Sequence, residues 1–259
     1  MAVERAIPGS QPAAALLGVW AGFPVHVLPR PIVLAGSAIV DPPGFSTGQA
    51  KVDYLLGAIA APSRFPTGPS TLDGYPLIDA GSALTLLTTR HSAVAGSTPP
   101  PIGLTVTDVH LDHATFTTDR GDRSLPAWLF SLSGADGPAA VLAVAPSARW
   151  SPPGSASAAT RAGFVTGAIL SPDGRTLTTT FAGAPAGTGP CDAGYRMVPA
   201  ESSAAVVITV LETYVDSPGV ACPAIAQLRT ISAVLASPLG ARVAVDAVSG
   251  QAIAVTGAA

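Results

Sequence analysis

Lysine is nearly missing from this chain. Of its 259 residues only Lys51 is a lysine, and the other twelve basic residues are arginines scattered singly. No polybasic run is present to track phosphates or anionic lipid, and a formal net charge of −3 offers no attractive field for nucleic acid. Charged residues of both signs make up 11%, far below the roughly 25% of ordinary domains. Only three glutamates occur, Glu4, Glu201 and Glu212. Glu212 ends an apolar strand with no evident carboxylate partner, so paired acid–base chemistry has no obvious seat there. No segment reaches the roughly 18–20 unbroken apolar residues of a transmembrane helix. There is no G-x-S-x-G elbow, no G-x-x-x-x-G-K-[ST] loop before Lys51, and no G-x-G-x-x-G between a strand and a helix. Cysteine is limited to Cys191 and Cys222, which rules out a Cys-x-x-Cys redox pair.

What the chain does have is apolar content of 48%, so low charge does not signal disorder, and a sizeable core can form. Its 27 glycines and 26 prolines imply many turns. Ala13–Phe23, "AAALLGVWAGF", has the length of a signal-peptide apolar region, but Glu4 and Arg5 before it give no net positive charge. It is expected instead to open the first packed segment through Leu17 and Trp20. In "STGQAKVDYLLGAIAAP", Val52, Leu55, Leu56 and Ile59 fall at i, i+3, i+4 and i+7. This predicts a helix buried on that face, capped by Ser46 or Thr47 and stopped by Pro62. A second helix is expected in "DAGSALTLLTTR", capped by Asp79 or Ser82, with Leu84 and Leu87 inward. Three consecutive prolines, Pro99 to Pro101, then forbid helix and mark a boundary.

From residue 103 onward the pattern is β. In "LTVTDVHLDHATFTTD" the apolar phase is even at Leu104 and Val106, odd at Val109 and Leu111, and even again at Phe116. Side chains alternate faces along a strand, so this predicts a bulge near Asp108 and a bend near His113. "GAILSPDGRTLTTTF" is a hairpin turning at Pro172-Asp173-Gly174, with Leu177, Thr179 and Phe181 on one face and Thr176, Thr178 and Thr180 on the other. "AAVVITVL" is apolar on both faces, as a central strand of a layered structure must be. The fold expected is mainly β with a small α/β N-terminal portion, residues 1–95. Residues 96–259 then form an antiparallel β-sandwich or partly open barrel.

"FPVHVLPRPIVLAG", "TDRGDRSLPAWLF", "SPDGRTLTTTF", "GTGPCDAGY" and "PLGARVAVD" together resemble a group of actinobacterial proteins of unassigned function. Many of that group resemble exported or lipid-anchored proteins. The likeness spans most of the chain but rests on turns and strands. It implies export and brings no activity and no functional residue.

Few residues offer chemistry. His110 and Asp112 share one strand face and His113 takes the other. Two ligands at i, i+2 fall short of the three or four of a closed metal site, so a polar strand edge is expected, with no metal and no cofactor. His26 and His91 lie far off in sequence. Arg120-Gly121-Asp122 is an RGD triplet, but a glycine between charges is what a tight turn requires. Trp20, Trp128 and Trp150 are expected to pack in the core or its rim rather than form a ligand platform, with Trp150, between Arg149 and "SPPGS" in a loop, the exception to test. Cys191 and Cys222 each flank a turn, with thirty residues between them, and are expected to form a disulfide joining the flanks of "AAVVITVL", which implies an oxidising compartment.

No catalytic residue is assigned. The function expected is a non-catalytic, extracytoplasmic binding or structural module with a protein or cell-envelope partner, its most mobile surface at residues 146–160 and 183–190. Two alternatives stay open. One is an enzyme with a dispersed site near His110, Asp112 and Asp119, acting on a small polar or glycan substrate. The other is a cytoplasmic protein that self-associates through exposed strand edges.

Overall fold

A computed structural model describes residues 2–89, 103–153, 163–215, 218–223 and 225–257. Its first part runs β1 (Ala2–Ala6), α1 (Ala13–Trp20), β2 (Ile39–Val40), α2 (Gly48–Leu55), β3 (Ile59–Ala60), β4 (Thr71–Leu72), β5 (Tyr75–Pro76) and α3 (Ala80–Thr89). The long strands β6 (Leu104–Thr118) and β7 (Gly121–Leu132) follow, then β8 (Ala139–Leu142), β9 (Gly167–Leu170) and β10 (Thr176–Gly183). The chain finishes with β11 (Ala193–Glu201), β12 (Ala205–Val215), β13 (Gln227–Val234), β14 (Val243–Asp246) and β15 (Ala254–Gly257). The structure is mostly β with no closed barrel, as the strand and turn pattern requires. Its sheets are mixed, not purely antiparallel, because β3–β6, β12–β14 and β9–β15 pair in parallel.

The chain divides into two compact units that do not follow a single cut at 95/96. One holds residues 1–35, 118–121 and 150–259, the other residues 36–117 and 122–149. The triple proline lies outside the described residues. Helices α2 and α3 pack on the β6–β8 strands, which keeps those strands with residues 36–89, and the short strand β1 draws the N-terminus to the other unit. It pairs along β12, with Ala2 opposite Val215 and Ala6 opposite Leu211, so the N-terminus completes a sheet made by the C-terminal half.

In the first unit β1, β12 and β11 form one sheet with β14 beside β12, and β13, β10, β9 and β15 form another. Val206, Ile208 and Val210 of β12 meet Leu170, Leu177 and Phe181 of the second sheet in one core. Ala205 and Val207 point the other way, onto Leu16 and Trp20 of α1 and onto Phe23 and Val33. Leu17 packs there only partly buried. Trp150 stacks 5.0 Å from Trp20 and 5.3 Å from Phe23, so it is a packing residue and not an exposed platform. The β9–β10 hairpin has the expected faces, with Leu177, Thr179 and Phe181 buried. Asp173 accepts from Ser171 Oγ and from Arg175 N–H, and Gly174 takes φ +71°.

Cys191 and Cys222 form the disulfide, with Cα atoms 5.4 Å apart. They do not sit at opposite ends of one strand. Eleven extended residues span roughly 35 Å, far beyond disulfide reach. The intervening β11 folds back on β12, with Ala193 opposite Tyr214, so both cysteines lie at the open end of that hairpin.

The second unit is a five-stranded sheet in the order β2-β8-β7-β6-β3, with the β4–β5 hairpin as a separate pair. Helices α2 and α3 bury Tyr54, Leu84 and Leu87 against Trp128, Phe130 and Val141 of the strands. Trp128 Nε1 donates to the Ile78 carbonyl at 2.9 Å. Asp79 caps α3, accepting from Ser82 N–H and Oγ, and Leu84 and Leu87 face inward as expected. Along β6 the side chains slip phase twice, with consecutive exposed residues at Thr107–Asp108 and at Asp112–His113.

Helix α2 departs from its predicted face. Thr47 caps it, but the buried residues are Ala50, Asp53 and Tyr54, while Val52 and Leu55 are 45% and 42% exposed. The predicted periodicity ran through the helix end. Gly57, at φ +68°, donates to Tyr54 O and Ala58 donates to Asp53 O, a Schellman closure, so Ile59 already belongs to β3. A Cβ at residue 57 would lie 2.2 Å from the Thr88 carbonyl oxygen.

Two outcomes are expected. Gly57→Ala lowers unfolding free energy by about 1–3 kcal/mol in denaturant titrations, since both the left-handed φ and the Thr88 contact oppose a side chain. Alkylation without reductant adds no mass to the unfolded chain, and alkylation after reduction adds two adducts. Replacing both cysteines with serine costs about 3–4 kcal/mol from the closed loop.

Candidate functional site

The loop after β2 and the first turns of α2 border a cleft of about 370 Å³ in the second unit. Its walls include Pro42, Pro43, Phe45 and Leu55, and Lys51 lines it. The loop is held from below. Tyr54 is 1% exposed, donates its hydroxyl to Asp41 Oδ1 at 2.8 Å, and lies 5.2 Å from the Phe45 ring. Thr47 Oγ1 accepts from Ala50 N–H at 3.0 Å and fixes the start of the helix. Lys51, one turn in, is exposed, and its side-chain ammonium makes no hydrogen bond or ion pair among the described residues. An unpaired ammonium near a helix N-terminus, on a cleft with apolar rings in its walls and the Asp41 carboxylate engaged by Tyr54 beside it, is a setting for an anionic group attached to an apolar body. Nothing in the pattern of the sequence singles out the cleft except Lys51 itself, the sole lysine, beside a cap-and-helix signal.

The residues that sequence inspection did single out are elsewhere. His110 Nδ1 lies 2.8 Å from Asp108 Oδ2, and His113 Nε2 lies 2.6 Å from Asp73 Oδ2 at the β4–β5 turn. Asp112 Oδ1 is 3.6 Å from His113 Nδ1. His110 and Asp112 are exposed on β6 with different partners, and neither lines the cleft. Asp119 belongs to the other unit, where it is 2% exposed and takes both Arg30 Nη groups. His26 is exposed in that same unit, and His91 lies outside the described residues. Among the described residues no three His, Cys, Asp or Glu side chains are grouped to hold a metal ion.

The RGD triplet is occupied internally. Arg120 Nη2 donates to the Gly240 and Arg242 carbonyls at 2.8 Å each, and Gly121 takes φ +78° to make the turn. Burial lowers the Arg120 pKa, with Asp119 opposing that shift. Glu212 accepts from Tyr195 at 3.1 Å and pairs with Arg5 at 3.5 Å, so it is a cross-strand partner. Edge strand β1 carries Glu4, bound to Arg196 at 2.6 and 2.8 Å, and Arg5, and charges of this kind guard an edge against pairing. Of the two loops expected to be mobile, residues 154–160 lie outside the described residues. In the other, Ala184 N–H donates to Tyr195 and Gly189 N–H to Asp192.

Among the described residues no helix is long and apolar enough to cross a membrane. Comparison of the chain with protein-family models, with curated proteins and with solved structures finds no match.

The hydrogen bond that His113 donates to Asp73 raises the His113 pKa above its ordinary 6.5, and slight burial opposes it. A raised value means that the pair's contribution is complete below about pH 6.5 and is lost as pH rises through the folded-state pKa. Histidine NMR titration is expected to place His113 above 6.5, and Asp73→Asn to bring it down. An unmoved His113 in that variant contradicts the pairing.

Proposed function

We propose that this chain is a non-catalytic, extracytoplasmic ligand-binding module, and that it takes a small molecule bearing an anionic group in the cleft beside Lys51. The observation that carries the proposal is the ammonium of the chain's one lysine, free of any described protein partner, on a cleft walled by Pro42, Pro43, Phe45 and Leu55. A volume of about 370 Å³ is within the range of small-molecule sites. Lysine acts here as a point charge on a flexible stem, suited to a carboxylate or phosphate whose orientation the apolar walls set. The disulfide supports the compartment, since structural disulfides persist where the surroundings are oxidising. The sequence resemblance to a group of actinobacterial proteins, many of which resemble exported or lipid-anchored proteins, points the same way.

Calorimetry with benzoate, phenylacetate and phenyl phosphate tests the cleft. The expected result is saturable binding of at least one aromatic anion, stronger than acetate or inorganic phosphate, and weakened about tenfold or more by Lys51→Met, the scale of one charge-assisted contact. Equal affinity in wild type and Lys51→Met, or no binding of any aromatic anion, overturns the assignment.

A further inference from the structure

On the other side of α2 lies a second cavity, of about 320 Å³, bordered by the Ser133–Gly134 turn and Gly103. Its chemistry has the opposite sign. Asp53 lines it and is 6% exposed. Gln49 Nε2, one turn earlier, donates to Asp53 Oδ1 at 2.8 Å. Oδ2 has no hydrogen bond among the described residues, and no arginine, lysine or histidine among them pairs with this carboxylate. The main chain comes onto it closely: a Cβ at Gly103 would stand 1.9 Å from Oδ2, so the glycine leaves that oxygen uncovered.

The other polar groups add acceptors more than charge. Ser46 Oγ donates to Gly134 O at 3.2 Å and keeps its lone pairs. Gln49 has its carbonyl oxygen left over. Ser133 Oγ already accepts from Thr105 N–H and Oγ1.

We propose that this cavity binds the primary ammonium group of a small organic amine, with Asp53 as its counter-ion. The Asp53 side chain is largely buried with Oδ2 open to the cavity, and one neutral amide donor does not neutralise its charge. A primary ammonium brings three N–H donors, which match Asp53 Oδ2, Ser46 Oγ and Gln49 Oε1. Calcium takes six to eight oxygens and magnesium a near-octahedral set, whereas Asp53 is the one carboxylate among the residues lining this cavity. The volume suits an amine with a short tail. This site does not rest on the Lys51 cleft, and a ligand of opposite charge tells the two apart.

The test is a backbone-amide NMR titration of the full chain with ethanolamine and methylammonium chlorides, against tetramethylammonium chloride at matched ionic strength. The control ion has the same charge and no N–H. The expected result is saturable shifts for a primary amine at Ser46, Gln49, Asp53 and Gly134, their absence with tetramethylammonium, and at least about tenfold weaker binding in Asp53→Asn. Absence of localised shifts with either primary amine, equal shifts with tetramethylammonium, or undiminished affinity in Asp53→Asn overturns the proposal. Should Asp53→Asn fail to fold, the contrast between primary and quaternary ammonium on the wild-type chain decides the question alone.

Discussion

Strand β12 has to be covered on both faces, and the first unit is built around that constraint. A sheet surface with valine on both sides cannot face water on either without losing apolar burial worth about 25 cal/mol per Å². The chain meets the requirement with two unlike layers. One face of β12 meets the sheet that carries Leu177 and Phe181. The other meets helix α1 and the Trp20–Phe23–Trp150 aromatic group, drawn from distant parts of the sequence. The same strand is flanked by β1, β11 and β14 in the ladder, so its backbone groups are paired as completely as its side chains are packed.

With so few charges, the first unit spends most of its buried ones on holding turns. Arg242, 8% exposed, donates to the carbonyls of Ser202, Ser237, Pro238 and Leu239 and to Glu201 at 2.8 Å. Burial works against the Glu201 carboxylate, but Arg242 and the Ala236 N–H outweigh it and hold its pKa below the ordinary value. Asp246, also buried, accepts from Phe164, Val165 and Ser249 N–H groups. Arginine suits such work and lysine does not, because five donors in a rigid fork can satisfy several carbonyls at once. The near absence of lysine is thus consistent with a fold whose cations are mostly structural, and Lys51 stands apart from them.

Most of the strand architecture was legible because it rests on local signals. The Pro172–Gly174 turn, the alternation of Leu177, Thr179 and Phe181, and the two-sided apolarity of β12 each need only a few neighbouring residues. The two phase slips in β6 were legible for the same reason. Long-range pairing was not. Nothing in "AVERA" announces a strand, since all five residues are exposed and their ladder partner lies more than 200 residues away. The hairpin that brings Cys191 to Cys222 depends on β11, whose mixed sequence, with a proline inside, masks its strand character. Of the candidate site, Lys51 and the Thr47 cap were visible and the cleft was not, because its walls come from a proline-rich loop whose path no periodicity encodes. Asp53 carried no signal, because the apolar spacing of Val52, Leu55 and Leu56 pointed to a different inner face.

The phase of α2 is the least economical feature of the second unit, and that is what makes it informative. A turn of about 100° per residue would exchange Asp53 for Val52 or Leu55 on the inner face and gain apolar burial. Three local devices forbid it. Thr47 fixes the first turn, the Gly57 closure fixes the last, and Tyr54 is locked between Phe45 and Asp41. An eight-residue helix pinned at both ends and in the middle has no freedom to rotate, so it presents a lysine to one cavity and a buried carboxylate to another. Departures from the locally best choice concentrate where a protein binds something. In this chain the departure and the two cavities coincide on the same two turns of helix.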